Sequence, residues 1–202
     1  MLTYQLEQEA HELGFEVICG VDEAGRGPLC GPVVAAAVIL PDGLVIDGLN
    51  DSKKLTEAKR EKLYDLIIEN AVAYAICEAT VEEIDSTNIL EASLLAMRRA
   101  IASLPVSPDF ALIDGNVSRD FQLPARAVIG GDAKSPSIAA ASILAKVTRD
   151  RLCLDLDRAY PQYGIAKHKG YGTKDHMNAL REFGPSPIHR KKFIRFLEDE
   201  SK

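Results

Sequence analysis

The 202-residue sequence predicts an α/β fold, a sheet of mixed strand directions flanked by helices. Two observations predict it. Apolar runs rich in β-branched and small residues come back to back near the N-terminus, then alternate with helical patterns further on. A long alanine-rich segment after residue 135 has side chains small enough to lie close against such a sheet. The length fits one domain over 1–202, with residues from about 160 onward as a C-terminal helical extension packed on it.

The elements follow in order. Residues 1–14 read as a short amphipathic helix ending at Gly14. Residues 15–21 and 32–40 read as strands, separated by a glycine-rich turn, and Pro41-Asp42-Gly43 turns the chain again. Thr56 is placed to cap a helix running to about Glu69, followed by a third strand over 71–79. Ser86 or Thr87 opens a helix over 89–104 that stops before Pro105. Short strands over 110–113 and 127–129 lead to a long helix over about 137–159. Helices over about 174–183 and 188–197 end the pattern.

Composition excludes several classes. An apolar fraction of 47% is that of an ordinary globular protein. The longest apolar run, 33–40, is far below the roughly 18 residues of a membrane span, so no membrane association is expected. The N-terminus has no basic start and no cleavable apolar stretch. Cys19, Cys30, Cys77 and Cys153 are widely spaced without a C-x-x-C pair, the pattern of reduced, mostly buried thiols in a cytoplasmic protein.

Net charge is −6, but it is unevenly spread. Residues 146–202 carry 13 Lys and Arg against 8 Asp and Glu, and three of the four histidines. This reads either as a basic surface able to track a phosphate backbone or as a helix with a solvated cationic face. His168, His176 and His189 show no metal-ligand spacing and read as surface or capping residues. Asp150 reads as a salt-bridging residue within the long helix.

The chemistry-bearing residues are acids at strand exits. Asp22 and Glu23 directly follow one apolar strand, Asp114 follows another, and Asp132 follows a third after two glycines. Ligands of open α/β sheets sit at the carboxyl ends of strands. Four carboxylates gathered there suit a pair of divalent cations acting on a phosphoester. Individually, each aspartate also suits a turn. Alternation of side chains along a strand lets Asp22 and Glu23 share a site only if the strand ends or kinks there, which Gly25 and Gly27 allow.

Arg26 between Gly25 and Gly27 combines a cation with exposed backbone. The run misses a dinucleotide-binding glycine pattern by one residue, and Pro28 lacks a donor, which excludes a nucleotide cofactor. Asp51-Ser52-Lys53-Lys54 before a helix suits phosphate binding or plain helix capping. Tyr171, among Lys167, His168, Lys169 and Lys174 and flanked by glycines, suits either stacking on a base or sugar or a buried ring anchoring a mobile loop.

Taken together, Val21-Asp22-Glu23-Ala24-Gly25-Arg26-Gly27-Pro28, Asp51-Ser52-Lys53-Lys54-Leu55, Ile113-Asp114-Gly115, Gly131-Asp132-Ala133-Lys134 continuing through 140–150, and Gly172-Thr173 resemble the successive signatures of ribonuclease HII. The resemblance runs from about residue 15 to 185. It implies an RNase H-like fold and endonucleolytic cleavage of RNA in RNA–DNA hybrids, including 5′ of single ribonucleotides in duplex DNA, leaving 3′-hydroxyl and 5′-phosphate ends. It further implies Asp22, Glu23, Asp114 and Asp132 as catalytic metal ligands for Mg²⁺ or Mn²⁺, and Gly25, Arg26 and Gly27 as sensors of the ribose 2′-hydroxyl. Ser52 and Lys53 look like phosphate contacts and Tyr171 like the ring stacked at the RNA–DNA junction. The partner implied is nucleic acid, and nothing demands more than a monomer. The related type HIII is expected to carry an extra N-terminal domain and to lack Gly-Arg-Gly. Alternatives from other classes are a two-metal phosphatase on small esters and a silent hybrid-binding protein.

Overall fold

The computed structural model describes residues 2–199. A five-stranded sheet runs in the order β3 (Ala73–Ala79), β2 (Val33–Ile39), β1 (Ile18–Ala24), β4 (Phe110–Asp114), β5 (Ala125–Val128). The pairs β1–β2 and β2–β3 are antiparallel, and β1–β4 and β4–β5 are parallel, so the sheet is mixed as the sequence predicts.

Every residue of β2 is buried because helices cover both sheet faces. On one face lies α4 (Ile89–Ala102), which packs Ala96, Met97 and Ala100 against Val33, Ala35 and Ala37. On the other lie α2 (Glu57–Asn70) and the long α5 (Pro136–Ala159), with Leu63, Ile67, Ala140 and Leu144 against Ala36 and Val38. The alternation along β2 thus divides between two cores. Alanine on both sides brings α5 down onto the sheet. At Gly20 the approach is closest: a Cβ there would sit 2.1 Å from the Ser137 carbonyl carbon. Only glycine lets α5 begin directly over β1.

Caps explain the helix starts. Thr56 accepts from the Lys59 N–H, as expected, and Ser135 accepts from the Ile138 N–H at the head of α5. Glu7, buried in α1 (Gln5–Glu12), accepts from the Ser135 hydroxyl at 2.6 Å and places its carboxylate at the same helix N-terminus.

Some expectations are corrected. The helix beginning near 89 is opened by Asn88, whose side chain accepts from the Leu90 and Glu91 N–H groups, not by Ser86 or Thr87. Those residues close a separate helix, α3 (Val81–Ser86), started by a Thr80–Glu83 capping box. The strand expected over 127–129 lies at Ala125–Val128.

Past α5 come α6 (Ile165–His168) and α7 (Lys174–Phe183). The helix expected over 188–197 does not form as one piece. His189 bridges Cys30 in strand fashion, the Gly31 N–H donates to the Ile188 carbonyl at 2.8 Å, and the Arg190 N–H donates to the Leu29 carbonyl at 2.9 Å. Docking of 188–190 on the turn after β1 takes the backbone groups a helix would need. Only a 3-10 turn at Lys191–Phe193 and α8 (Phe196–Asp199) remain helical; residues 200–202 of the expected extension lie outside the described residues. Cys30, Cys153, Tyr163, Ile165, Leu180 and Ile194 form the core that joins these segments to α5. Among the described residues no helix is long and apolar enough to cross a membrane.

Candidate active site

The four acids meet where β1 outruns β4. Pairing between these strands stops at Val21 with Ile113, while β1 continues alongside β2 through Ala24. The expected end or kink at Asp22 is therefore absent. Beyond Ile113 no strand among the described residues pairs with the β4 side of β1, and the Asp114 charge bears on both Asp22 and Glu23. The Asp114 carboxylate accepts from the Gly131 N–H at 2.7 Å, which ties the exit of β4 to the 3-10 turn carrying Asp132.

The electrostatics of this cluster are unfavourable on their own. Asp22 is buried, and burial, then the charges of Glu23 and Asp114, raise its carboxyl well above the usual range. Burial also raises Glu23, against the opposing pull of Arg26, and burial followed by Asp114 raises Asp132. Two cations stand nearby: Lys53 Nζ lies 3.6 Å from Asp132, and Arg26 reaches Glu23 at 3.3 Å. Hard carboxylate oxygens massed in this way, with their repulsion only partly offset, are a donor set that fits divalent cations such as Mg²⁺ or Mn²⁺.

Ser142, on α5, was not legible as a functional residue. Its hydroxyl bonds Asp22 and lies 2.8 Å from the Ser52 hydroxyl. Ser52 is itself buried, so its side chain is engaged beneath the site, while the exposed Lys53 ammonium faces it.

Gly25, Arg26 and Gly27 line a cleft of about 310 Å³ together with Glu23, Lys53 and Tyr171. The turn is held from behind by Arg190, which is fully buried and spends all its donors on it: Nε on Gly31, Nη1 on Arg26 and Pro28, Nη2 on Gly25 and Pro32, each a backbone carbonyl at 2.6–3.2 Å. Because the peptide bonds are trans, carbonyls of Gly25 and Arg26 aimed at Arg190 turn the N–H groups of Arg26 and Gly27 the opposite way. Gly25 holds a φ of +98° and has Arg149 Nε 2.8 Å from where a Cβ would be, so no other residue fits. Burial lowers Arg190 to about 10, which leaves it charged at neutral pH. Its burial had no sequence signal, because a helix was expected there.

Tyr171 is half exposed, and its ring carbon Cε1 lies 3.1 Å from the position of a Gly27 Cβ. The ring thus stands against the glycine turn at the cleft rim, which sets aside the buried-anchor reading. Lys146 and Lys169 also line the cleft. Asp150 pairs with Lys146 at 2.7 Å and with Arg60 at 3.7 Å, the salt-bridging role expected. His176 and His189 are buried, contrary to their reading as surface or capping residues; both are drawn inside by hydrogen bonds to the Tyr171 and Ser186 segments. Cys19, Cys30 and Cys153 are buried free thiols.

Comparison with known proteins agrees with this geometry. The family model described as Ribonuclease HII matches residues 19–196. Ribonuclease HII 1 of Methylibium petroleiphilum is 60% identical over 181 residues, covering 90% of this chain and 91% of that protein. Ribonuclease HII of Desulfitobacterium hafniense is 58% identical over 180 residues, covering 89% of this chain and 69% of that protein. The crystal structure of ribonuclease H2 from Pyrococcus horikoshii superposes with a TM-score of 0.75 at 30% identity, covering 92% of this chain and 98% of that one. A match over nearly the whole length, on a sheet whose strand ends gather the signature acids, places the chain in the ribonuclease HII family, metal-dependent endonucleases that cut the RNA of RNA–DNA hybrids.

Proposed function

We propose that this chain, beyond cutting RNA in hybrids, cleaves on the 5′ side of single ribonucleotides embedded in duplex DNA and leaves 3′-hydroxyl and 5′-phosphate ends. The observation that carries this reading is the Arg190-clamped turn with Tyr171 against it, sharing one cleft with Glu23 and Lys53. Asp22, Glu23, Asp114 and Asp132 would hold two divalent cations, Mg²⁺ or Mn²⁺. When bound, these supply Lewis acidity to the phosphate and activation of the attacking water.

The chain's own groups do the rest. The N–H groups of Arg26 and Gly27, turned away from Arg190, are donors for the 2′-hydroxyl, the one group that separates RNA from DNA at that position. Their loss against a deoxyribonucleotide is worth ~1–3 kcal/mol per bond, or about one to two decades in rate. The contact of Arg26 with Glu23 at 3.3 Å joins this sensor to the acids, so a correctly read sugar bears directly on a catalytic carboxylate. Tyr171 offers an exposed face on which the junction nucleotide stacks. Lys53, Lys146 and Lys169 place cations along the path of the backbone. All these groups come from one chain, which supports a monomer of one catalytic unit. The free thiols support a cytoplasmic location.

The test is incubation with a duplex carrying one ribonucleotide, with Mg²⁺, with Mn²⁺ and with chelator. Expected is a single cut 5′ of the ribonucleotide, dependent on metal and absent from all-DNA duplex. Hydrolysis of a chromogenic phosphomonoester without cutting would support the phosphatase alternative, and binding without cutting would support a silent hybrid-binding protein.

A further inference from the structure

Three of the four histidines cluster behind Tyr171 and have no part in the chemistry above. His176 and His189 are buried, and the ring of His168 stacks on that of His176 with centroids 4.5 Å apart. Backbone groups dictate where each proton resides. The Ser186 N–H points at His189 Nδ1 from 3.1 Å, so that nitrogen accepts and the ring proton is on Nε2. His189 Nε2 lies 3.1 Å from His176 Nε2 and therefore donates to it. His176 consequently carries its proton on Nδ1, which donates to the Tyr171 carbonyl at 3.0 Å. His168 follows the same logic: its Nδ1 accepts from the Gly170 N–H at 3.2 Å, and its Nε2 donates to the Tyr163 carbonyl at 2.9 Å. The chain of bonds works only with neutral rings. Burial holds both buried histidines below their ordinary range, His189 at about 4.

The loop needs such support. Lys169 sits in the left-handed region at φ +53°, a strained conformation for a side chain-bearing residue. The ring of Tyr171, half in solvent, has little core packing to hold it. Its carbonyl receives two donors, the Thr173 N–H at 2.8 Å and His176 Nδ1.

We propose that His176 and His189 are positioning residues for Tyr171: a one-way series of hydrogen bonds from Ser186 through His189 and His176 to the Tyr171 carbonyl sets where the exposed ring stands beside Gly27. This rests on the reading that Tyr171 stacks on the substrate. The same cluster invites comparison with a metal centre, since one donor atom each of Cys30, His176 and His189 lie within 4.8 Å of one another. Coordination through His189 Nε2 would move the ring proton to Nδ1, against the Ser186 N–H, and burial pushes the Cys30 thiol up to about 11, away from the thiolate a metal would take. The geometry is that of a hydrogen-bond series.

Histidine ring ¹⁵N spectra of the intact protein at pH 7.5 test the arrangement without substitution. Expected are His176 as the Nδ1–H tautomer and His189 and His168 as Nε2–H. His176 found as Nε2–H, or either buried ring found charged, would overturn the proposal. Kinetics test its consequence. His176→Asn keeps an amide N–H near the place of Nδ1, whereas His176→Gln moves the amide to the place of Nε2 and loses Tyr171. On the single-ribonucleotide duplex, H176Q should raise KM about 10-fold with kcat within about 3-fold, and H176N should recover most of the loss. In a Tyr171→Ala background, H176Q should change KM by less than about 2-fold, because the ring it positions is gone. An unchanged KM in H176Q, or an equal rise in both backgrounds, would refute the positioning role. Wild-type rates in Tyr171→Ala would instead remove the stacking role, and the positioning role with it. If H176Q fails to fold, the spectra decide.

Discussion

Replacing Arg190 with lysine is the sharpest single test of how the substrate-sensing turn is built. Arg190 makes five bonds to backbone carbonyls in a pocket that excludes solvent. The Pro32 carbonyl also accepts from Arg149 Nε at 3.1 Å, so four of the five depend on Arg190 alone. An ammonium has three N–H donors, so at least one of the four would be left buried and unpaired. That costs about 1–3 kcal/mol before any penalty for drying the more strongly hydrated ammonium. For a chain of this size that corresponds to a fall in Tm of roughly 3–12 °C. Arg190→Met, which pairs none of them, should melt lower still. Function should fall with it: once the Gly25 and Arg26 carbonyls are released, nothing aims the Arg26 and Gly27 N–H groups. Cleavage of the single-ribonucleotide duplex should then drop about 10- to 100-fold, measured well below the variant's Tm. Melting by calorimetry and single-turnover cleavage read the two effects separately. A lysine variant that melts within about 2 °C of wild type and cuts at the wild-type rate would refute the clamp.

Other outcomes follow from the same geometry. Gly20→Ala should destabilise severely or prevent folding, since its Cβ would meet backbone of Ser137 and Ile138 at 2.1–2.5 Å and no rotamer relieves that; a wild-type denaturant midpoint would show that α5 shifts freely. Asp22→Asn and Asp114→Asn should abolish cleavage while hybrid binding, followed by fluorescence anisotropy, is largely kept; full activity in either would remove the proposed metal site. His189, faced by His176, Cys30 and the Ser186 segment, gives a pH signature. Its folded pKa of about 4 lies below the ordinary 6.5, so the unfolded chain takes up the proton first. Stability should therefore be fully present above pH 6.5 and fall as pH drops toward 4. The amount is on the order of 2 kcal/mol after allowance for screening. Denaturant titrations of wild type against His189→Gln should show this extra slope only in wild type; parallel curves would contradict it.

Much of the molecule could be read from local pattern. The mixed α/β sheet, the buried β2, the Thr56 cap and the long α5 all follow from periodicity and capping chemistry, which act over a few residues. Asp114 ends β4 and Asp132 follows β5 for the same reason, since an apolar run that stops at a carboxylate announces its own end; at Asp22 the apolar run marked the residue, although β1 itself continues to Ala24. Where competing local signals were close, pattern failed. Asn88 outcompeted Ser86 and Thr87 for the cap, and 188–197 carried a helical pattern that long-range pairing with 29–31 overrode.

What sequence alone determined is which residues bring the chemistry: hard acids, a cation between glycines, a tyrosine among lysines. Tertiary structure decided how they are held. Ser142 beneath Asp22 and Arg190 behind the glycine turn lie 120 and 165 residues from the groups they support, and His189 lies 13 residues from His176 and 18 from Tyr171, by contacts that no local pattern encodes. The reason is physical. A side chain's type is written at its own position, but desolvation and hydrogen-bond partners belong to whatever the fold brings alongside it.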